Sequence, residues 1–297
     1  MQKLKNAVIQ KCIEKKISSK ELDFLLYISR FQDEEGNICG VYYKDVCASI
    51  GISIQSFYNI KDSLLKKGII SCIKKDQSDI DIKIEDNEFL SEENYSEGYI
   101  NTGKKFLYSG TFRSMKGMEK LLVLELMRLT YCNKGKFVIL AENFYKKYME
   151  IFQVSRKTIR GYIQKIKGFF QIKRYEFKLF FLPKSMIKEN DSFTDNEMYS
   201  RNIATMICRR NRIKQMDQKE AKDISGLMIQ YKGSAAKIGK DIKDLLSNAV
   251  KKSVEVLNYY KLPGEKIVRE LNPALIHKLL KEGVIKDKEG AVIAPYE

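Results

Sequence analysis

Between Phe137 and Leu182 the chain passes from strand alternation to helical spacing and back, and the same succession stands between Gly36 and Ile84. In the later copy Phe137-Val-Ile-Leu140 reads as a strand and Ala141 to Met149 or Ile151 as a short helix. Ser155 then caps a further helix on which Ile159, Ile163 and Ile166 recur at helical spacing. Phe169 to Arg174 and Glu176 to Leu182 form a tight hairpin, and Pro183 ends the sheet. In the earlier copy Gly36 to Val41 is the strand, Tyr43 to Ile50 the short helix, and Gly51 its stop. Ser53 caps a helix that runs to Lys67, and Ile69 to Lys74 and Ile80 to Ile84 flank a tip at Asp76-Gln-Ser-Asp79. A helix precedes each copy, from Ser19-Lys20 to Ile28-Ser29 and, longer, from Ser114 to Thr130. Setting Ile52-Ser53 on Val154-Ser155 brings Ser56-Phe57 onto Thr158-Ile159, and both capped helices end in Lys-Gly, at Gly68 and Gly168. A unit that occurs twice in this order leaves few folds open.

Helix, strand, two helices and a hairpin is the order of a winged helix-turn-helix. The expected fold class is mainly α with small β-wings (α+β): two tandem winged helix-turn-helix modules plus a C-terminal helical region. The expected domains are residues 1–90, an N-terminal winged helix suited to dimerisation; 100–188, a basic winged helix suited to DNA; and 197–297, the helical region. Polar joints stand at Ser91 to Tyr99 and Glu189 to Asn196. In the last region Arg201 to Gln215, Gln218 to Tyr231 and Ala235 to Tyr260 read as helices, Asn272-Pro273 as a helix start, and Val284 to Ile293 as a hairpin. A plain helical oligomerisation region and a degenerate third winged helix both fit that pattern.

Charge is segregated along the chain. Of the net +16, the stretch from Lys134 to Lys188 holds a surplus of +11, with 14 Lys and Arg against 3 Asp and Glu. Residues 19–90 carry −4 and residues 1–18 carry +4. A concentrated positive stretch that coincides with a capped helix and a hairpin points to a polyphosphate partner. On the second module's capped helix, Arg156, Lys157, Arg160, Gln164 and Lys167 fall opposite the isoleucines. Ser155, Arg156, Lys157, Thr158, Arg160 and Gln164 are the candidates for groove contact, because Arg pairs with guanine and Gln with adenine. Gly161 allows close approach of a ligand or of another helix. Lys146 and Lys147 on the preceding helix, and Lys173, Arg174 and Lys178 around the hairpin, are candidates for backbone phosphate. Arg209, Arg210 and Arg212 form a second basic group. In the first module Gln55, Ser56, Tyr58, Asn59 and Asp62 face outward, and Asp76 and Asp79 place acid at the tip, which suits a protein partner better than phosphate. The basic segment 1–18 fits either DNA contact or helix packing.

Residue chemistry also excludes classes. Six cysteines form no CxxC pair and His277 is the only histidine, so no metal site and no cofactor is expected. A rolling-circle nickase needs a histidine pair. Gly233-Ser-Ala-Ala-Lys-Ile-Gly-Lys-Asp misses the spacing of a phosphate-binding loop, and Asp241 stands where Ser or Thr would bind magnesium. No enzyme activity is expected. The cysteines read as reduced core residues of a cytoplasmic protein, and no segment is apolar over the roughly 20 residues that span a bilayer.

Two such modules followed by a helical tail resemble the theta-type plasmid replication initiators and replisome-organiser proteins of low-GC Gram-positive bacteria. The resemblance covers roughly residues 19–182 and rests on topology, Ser-capped helices and strand-wing-strand patterns. It implies binding to repeated origin sites in double-stranded DNA, homodimerisation through the first module, and replication proteins as partners. The acidic first module departs from initiators in which both modules grip DNA. A winged-helix transcriptional regulator and an adaptor of a replication or conjugation complex are the alternatives that the residues leave open.

Overall fold

Side chains that satisfy the free N–H groups of a first turn set the helix starts in the early part of the chain. In the structure, a computed structural model that describes residues 2–75, 79–91, 95, 98–190, 194–213, 216–259, 261, 267 and 270–291, the Ser18 hydroxyl accepts from Glu21 N–H and the Glu21 carboxylate accepts from Ser18 N–H. This reciprocal cap starts helix α2 (Ser19–Ile28). Strand β2 (Asn37–Val41), helix α3 (Tyr43–Ile50), helix α4 (Ile54–Lys66), strand β3 (Ile70–Lys75) and strand β4 (Ile80–Ile84) follow. Their sheet has the order β2-β4-β3, all antiparallel. Asp79 and Asp81 are buried, and the Asp81 carboxylate accepts from Gly40 N–H at 2.7 Å. The expected acidic tip is corrected at Asp79, whose side chain is buried and so is not surface charge; Asp76 lies outside the described residues.

The second repeat has the same order. A short helix α5 (Gly110–Arg113) precedes α6 (Gly117–Cys132), which starts three residues later than expected because the Glu119 carboxylate caps it by accepting from Lys116 N–H. Strand β6 (Phe137–Leu140), helix α7 (Ala141–Phe152), helix α8 (Arg156–Ile166), strand β7 (Phe170–Tyr175) and strand β8 (Lys178–Pro183) come next, with sheet order β6-β8-β7. Phe181 of β8 stacks between Phe137 and Phe144, at 6.0 and 5.1 Å, which fixes the sheet against α7.

The repeats are not separate lobes. One continuous set of buried apolar side chains runs from Leu4 to Ile187, and Met1–Asp195 is one compact unit. The expected boundary between 90 and 100 therefore divides no core. The N-terminal segment is part of the reason. Strand β1 (Lys3–Lys5) pairs antiparallel with a strand, here β5 (Tyr99–Asn101), from the expected linker. Buried Asn87 accepts from Lys5 N–H at 2.8 Å and donates to Lys3 and Gln32. Helix α1 (Asn6–Glu14) buries Val8, Ile9, Cys12 and Ile13 and packs on α6 and α7, so residues 1–18 pack rather than extend as a basic arm. Between α2 and α6, Lys120 at 0% exposure meets Asp23 at 2.5 Å. Burial pulls the Lys120 pKa down, and the hydrogen bond to Asp23 opposes that pull. At the same joint Ser19 donates to the Met115 carbonyl, and a Cβ on Gly117 would stand 3.0 Å from backbone of Ile17 and Ser19.

The second unit, Asn196–Glu297, contains most of α10 (Asp195–Arg210), α11 (Gln218–Lys237), α12 (Ile242–Asn258) and α13 (Pro273–Ala291). Helices α11, α12 and α13 pack pairwise. Ile276, Leu280 and Val284 of α13 are buried at helical spacing, so the expected hairpin at Val284 to Ile293 is helix through Ala291, and no strand occurs among the unit's described residues. His277 lies with its ring 5.7 Å from that of Tyr231. Only Cys12 and Cys208 among the six cysteines are buried; Cys72 and Cys132 are exposed, which corrects their reading as core residues.

Candidate nucleic-acid interface

Helix α8 is fixed at its N-terminal end by its own sequence. The Ser155 hydroxyl accepts from Thr158 N–H at 3.2 Å and lies 3.0 Å from the Thr158 hydroxyl, so both residues serve the cap. Ile159, Tyr162, Ile163 and Ile166 bury the inner face, each worth about 1.5–3 kcal/mol as a fully buried side chain. The turn into α8 is made by Gln153 at φ 53, where the first repeat has Gly51 at φ 64. Lys16 from the N-terminal segment donates to the Gln153 side chain and so holds that turn from outside.

With the isoleucines inward, Lys157, Arg160, Gln164 and Lys167 are exposed on the outer face. Gly161 lies on this face with nothing within 4 Å of the place a Cβ would occupy, so no packing within the chain requires a glycine there. Lys173, Arg174 and Lys178 are exposed on the hairpin. Glu142, in the first turn of α7, brings these elements together. Arg156 clamps it with two hydrogen bonds of 2.8 and 2.5 Å while lying 4.5 Å over the Tyr145 ring. The Arg156 hydrogen bond holds the Glu142 carboxyl below its ordinary pKa, and the charges of Arg174 and Arg160 act in the same direction. One arginine of α8 therefore bonds this surface carboxylate, and the positive charge of α8 and β7 favours its ionised form. Arg156 is engaged rather than freely presented, but an exposed ion pair is a weak restraint that a phosphate oxygen can replace.

Other expected contacts are placed differently. Lys146 is exposed on α7, but Lys147 reaches back to buried Glu125 at 3.3 Å. Burial pushes the Glu125 carboxyl up, yet Arg128, bonded at 2.8 and 2.9 Å, and Lys147 outweigh it and hold the pKa below the ordinary value. Lys147 thus balances an internal charge. Arg209 and Arg210 are half-buried in the last turn of α10, where cations complement the helix dipole, and only Arg212 is exposed. These three belong to the second unit.

Two residues of this surface escaped the sequence reading. Tyr175 and Phe177, beside the hairpin turn, are 68% and 76% exposed. Their signal was present, since Tyr-Glu-Phe-Lys occupies a turn where Gly, Asn or Asp is usual. Among the described residues no group of three or more His, Cys, Asp or Glu side chains could hold a metal ion, and no helix is long and apolar enough to cross a membrane. Comparison with known proteins finds no matching family profile, no matching curated protein and no matching solved structure.

Proposed function

We propose that this protein binds double-stranded DNA in a sequence-specific way, that each repeat of the first unit is a winged helix, and that α8 is the helix that enters the major groove. The observation that carries the reading is the presence of exposed Lys157, Arg160 and Gln164 on α8 together with exposed Lys173, Arg174 and Lys178 on the hairpin, while Ile159, Tyr162, Ile163 and Ile166 turn inward. The helix supplies base-edge donors and the hairpin supplies phosphate neutralisation. Open space at Gly161 lets the helix axis approach the groove floor. The first repeat has the same backbone order, but its helix α4 exposes Ile54, Gln55, Tyr58 and Asn59, which suits contact with protein, including a second copy of this chain.

The cellular role proposed for this binding is initiation of replication of a plasmid or other mobile element, supported by the tandem order of the two repeats and the helical unit after them. Fluorescence anisotropy with duplexes selected from a random library tests the binding. Affinity should fall steeply with salt, by a slope of about 0.9 per phosphate contact in a double-logarithmic plot. Changing Arg156, Lys157 and Arg160 together to Ala should abolish specific binding while the circular dichroism spectrum is kept. Unchanged affinity defeats the assignment of α8. Selected sites that recur as neighbouring repeats favour replication, and a single promoter-proximal palindrome favours regulation.

A further inference from the structure

We infer that the hairpin tip of the second repeat stacks on DNA bases, so that Tyr175 and Phe177 pry open a base step of the bound duplex. The inference rests on the DNA-binding reading above and adds a distortion to it. Two large aromatic side chains on either side of Glu176 at the turn, each more than two-thirds exposed, have no packing role in their own sheet. Their inward neighbours do that work: Leu179 is buried on β8 and Phe170 on β7. The charge around the tip selects the occupant. Lys173, Arg174 and Lys178 flank the rings, and cations beside exposed aromatic faces suit stacked bases with a phosphate backbone alongside.

The tip is also rigid. Tyr175 pairs with Lys178 across the turn, Lys178 pairs with Leu140, and the Phe177 carbonyl accepts from Ala141 N–H at 2.7 Å. The turn is therefore tied to the start of α7, beside the Glu142 cluster. Glu176 takes φ 49 to complete it, a conformation that a non-glycine residue adopts at a cost. A ring held on a tied backbone loses little freedom when it stacks, whereas a ring on a loose loop must first be ordered.

Opening a step costs least where pairing is already absent. The wild-type chain should therefore bind a duplex carrying a short central mismatch bubble more tightly than the fully paired duplex of the same flanking sequence, by roughly tenfold. Tyr175→Ala with Phe177→Ala should bring the two affinities together and leave the salt slope on the paired duplex unchanged. Tyr175→Phe, which keeps the ring and removes the hydroxyl, should retain the preference. Thymine oxidation by permanganate in the paired complex should rise near the tip in wild type and not in the double Ala variant. Binding of the paired duplex with no preference for the bubble and no thymine reactivity overturns this inference and leaves the DNA-binding reading intact. Failure to bind either duplex overturns the DNA-binding reading itself. A double Ala variant identical to wild type in every DNA measurement also overturns the inference and marks the tip as a protein contact.

Discussion

Helices α4 and α8 occupy the same place in their repeats and present opposite chemistries. Both start at a serine whose hydroxyl accepts the third N–H, and both bury one face, through Phe57, Ile60 and Leu64 on α4 and through Ile159, Tyr162, Ile163 and Ile166 on α8. Outward, α4 shows Gln55 bonded to Asn59 at 3.0 Å and Lys61 neutralised by Asp62 at 2.9 Å. Outward, α8 shows Lys157, Arg160 and Lys167, with Glu142 as the nearby acid. The scaffold requirement is confined to the apolar positions and the cap. The remaining positions are free to set the partner, so a repeated fold need not mean a repeated function.

The comparison breaks first if the shared core is not what holds the two repeats. Lys120→Met removes the hydrogen-bonded partner of buried Asp23, leaving only Lys20 at 4.0 Å, and should cost about 3–5 kcal/mol in urea unfolding, whereas replacing both Lys120 and Asp23 by apolar residues of similar volume should be near neutral. A small loss in the single variant would sink the view that this pair ties α2 to α6. The contrast sharpens next at the surface. Arg160→Ala should cost about 1–3 kcal/mol of DNA affinity and relax preference at one base, while Asn59→Ala, its counterpart region on α4, should leave anisotropy titrations unchanged.

Gly161→Ala should separate folding from binding. With open space at that position and Gly disfavoured inside a helix, stability should rise by about 0.5–1 kcal/mol while DNA affinity falls. Thermal melts and titrations on the same sample would expose a mismatch between the two. Acid should probe the internal networks. Glu21 and Glu125 both have pKa values lowered below the ordinary 4.5. A carboxylate with a lowered folded-state pKa adds stability that is present above its unfolded value and lost as pH falls through the folded one. Urea midpoints should therefore drop only below about pH 4.5, and Glu125→Gln should flatten that drop. The smallest effect is expected at Glu142→Gln: removal of the carboxylate that Arg156 bonds should raise duplex affinity a few-fold on average over sequences.

Much of the unit from Met1 to Asp195 was legible because local rules and tertiary packing agree there. The bounds of α3 and β6 match the expected ones, and Ser53 and Ser155 cap as read. The disagreements have physical causes. Strands β1 and β5 have three residues each, too few to carry an alternation, and exist through long-range pairing and the Asn87 bonds. Nothing in the sequence marks Lys120 or Asp81 for burial, and only a partner buried with each makes the interior tolerable. Tyr175 and Phe177 escaped for the converse reason, as aromatic residues default to cores. In α13, burial of Ile276, Leu280 and Val284 outweighs the weak turn signal around Gly283 and Gly290. At the candidate interface, sequence separated inward from outward faces on α8 but could not foresee that Arg156 engages Glu142 or that Lys147 serves Glu125.

The pairing of β1 with β5 sets an order of events during synthesis. Leu4 meets Ile100, about a hundred residues downstream, and a ribosome adds residues at about 5–20 per second. The first strand must wait several seconds for its mate, with its backbone groups open to water or to a chaperone. The three strands of the first repeat thus emerge before the two-stranded sheet can close, and that closure is timed by translation of the segment that leads into the second repeat.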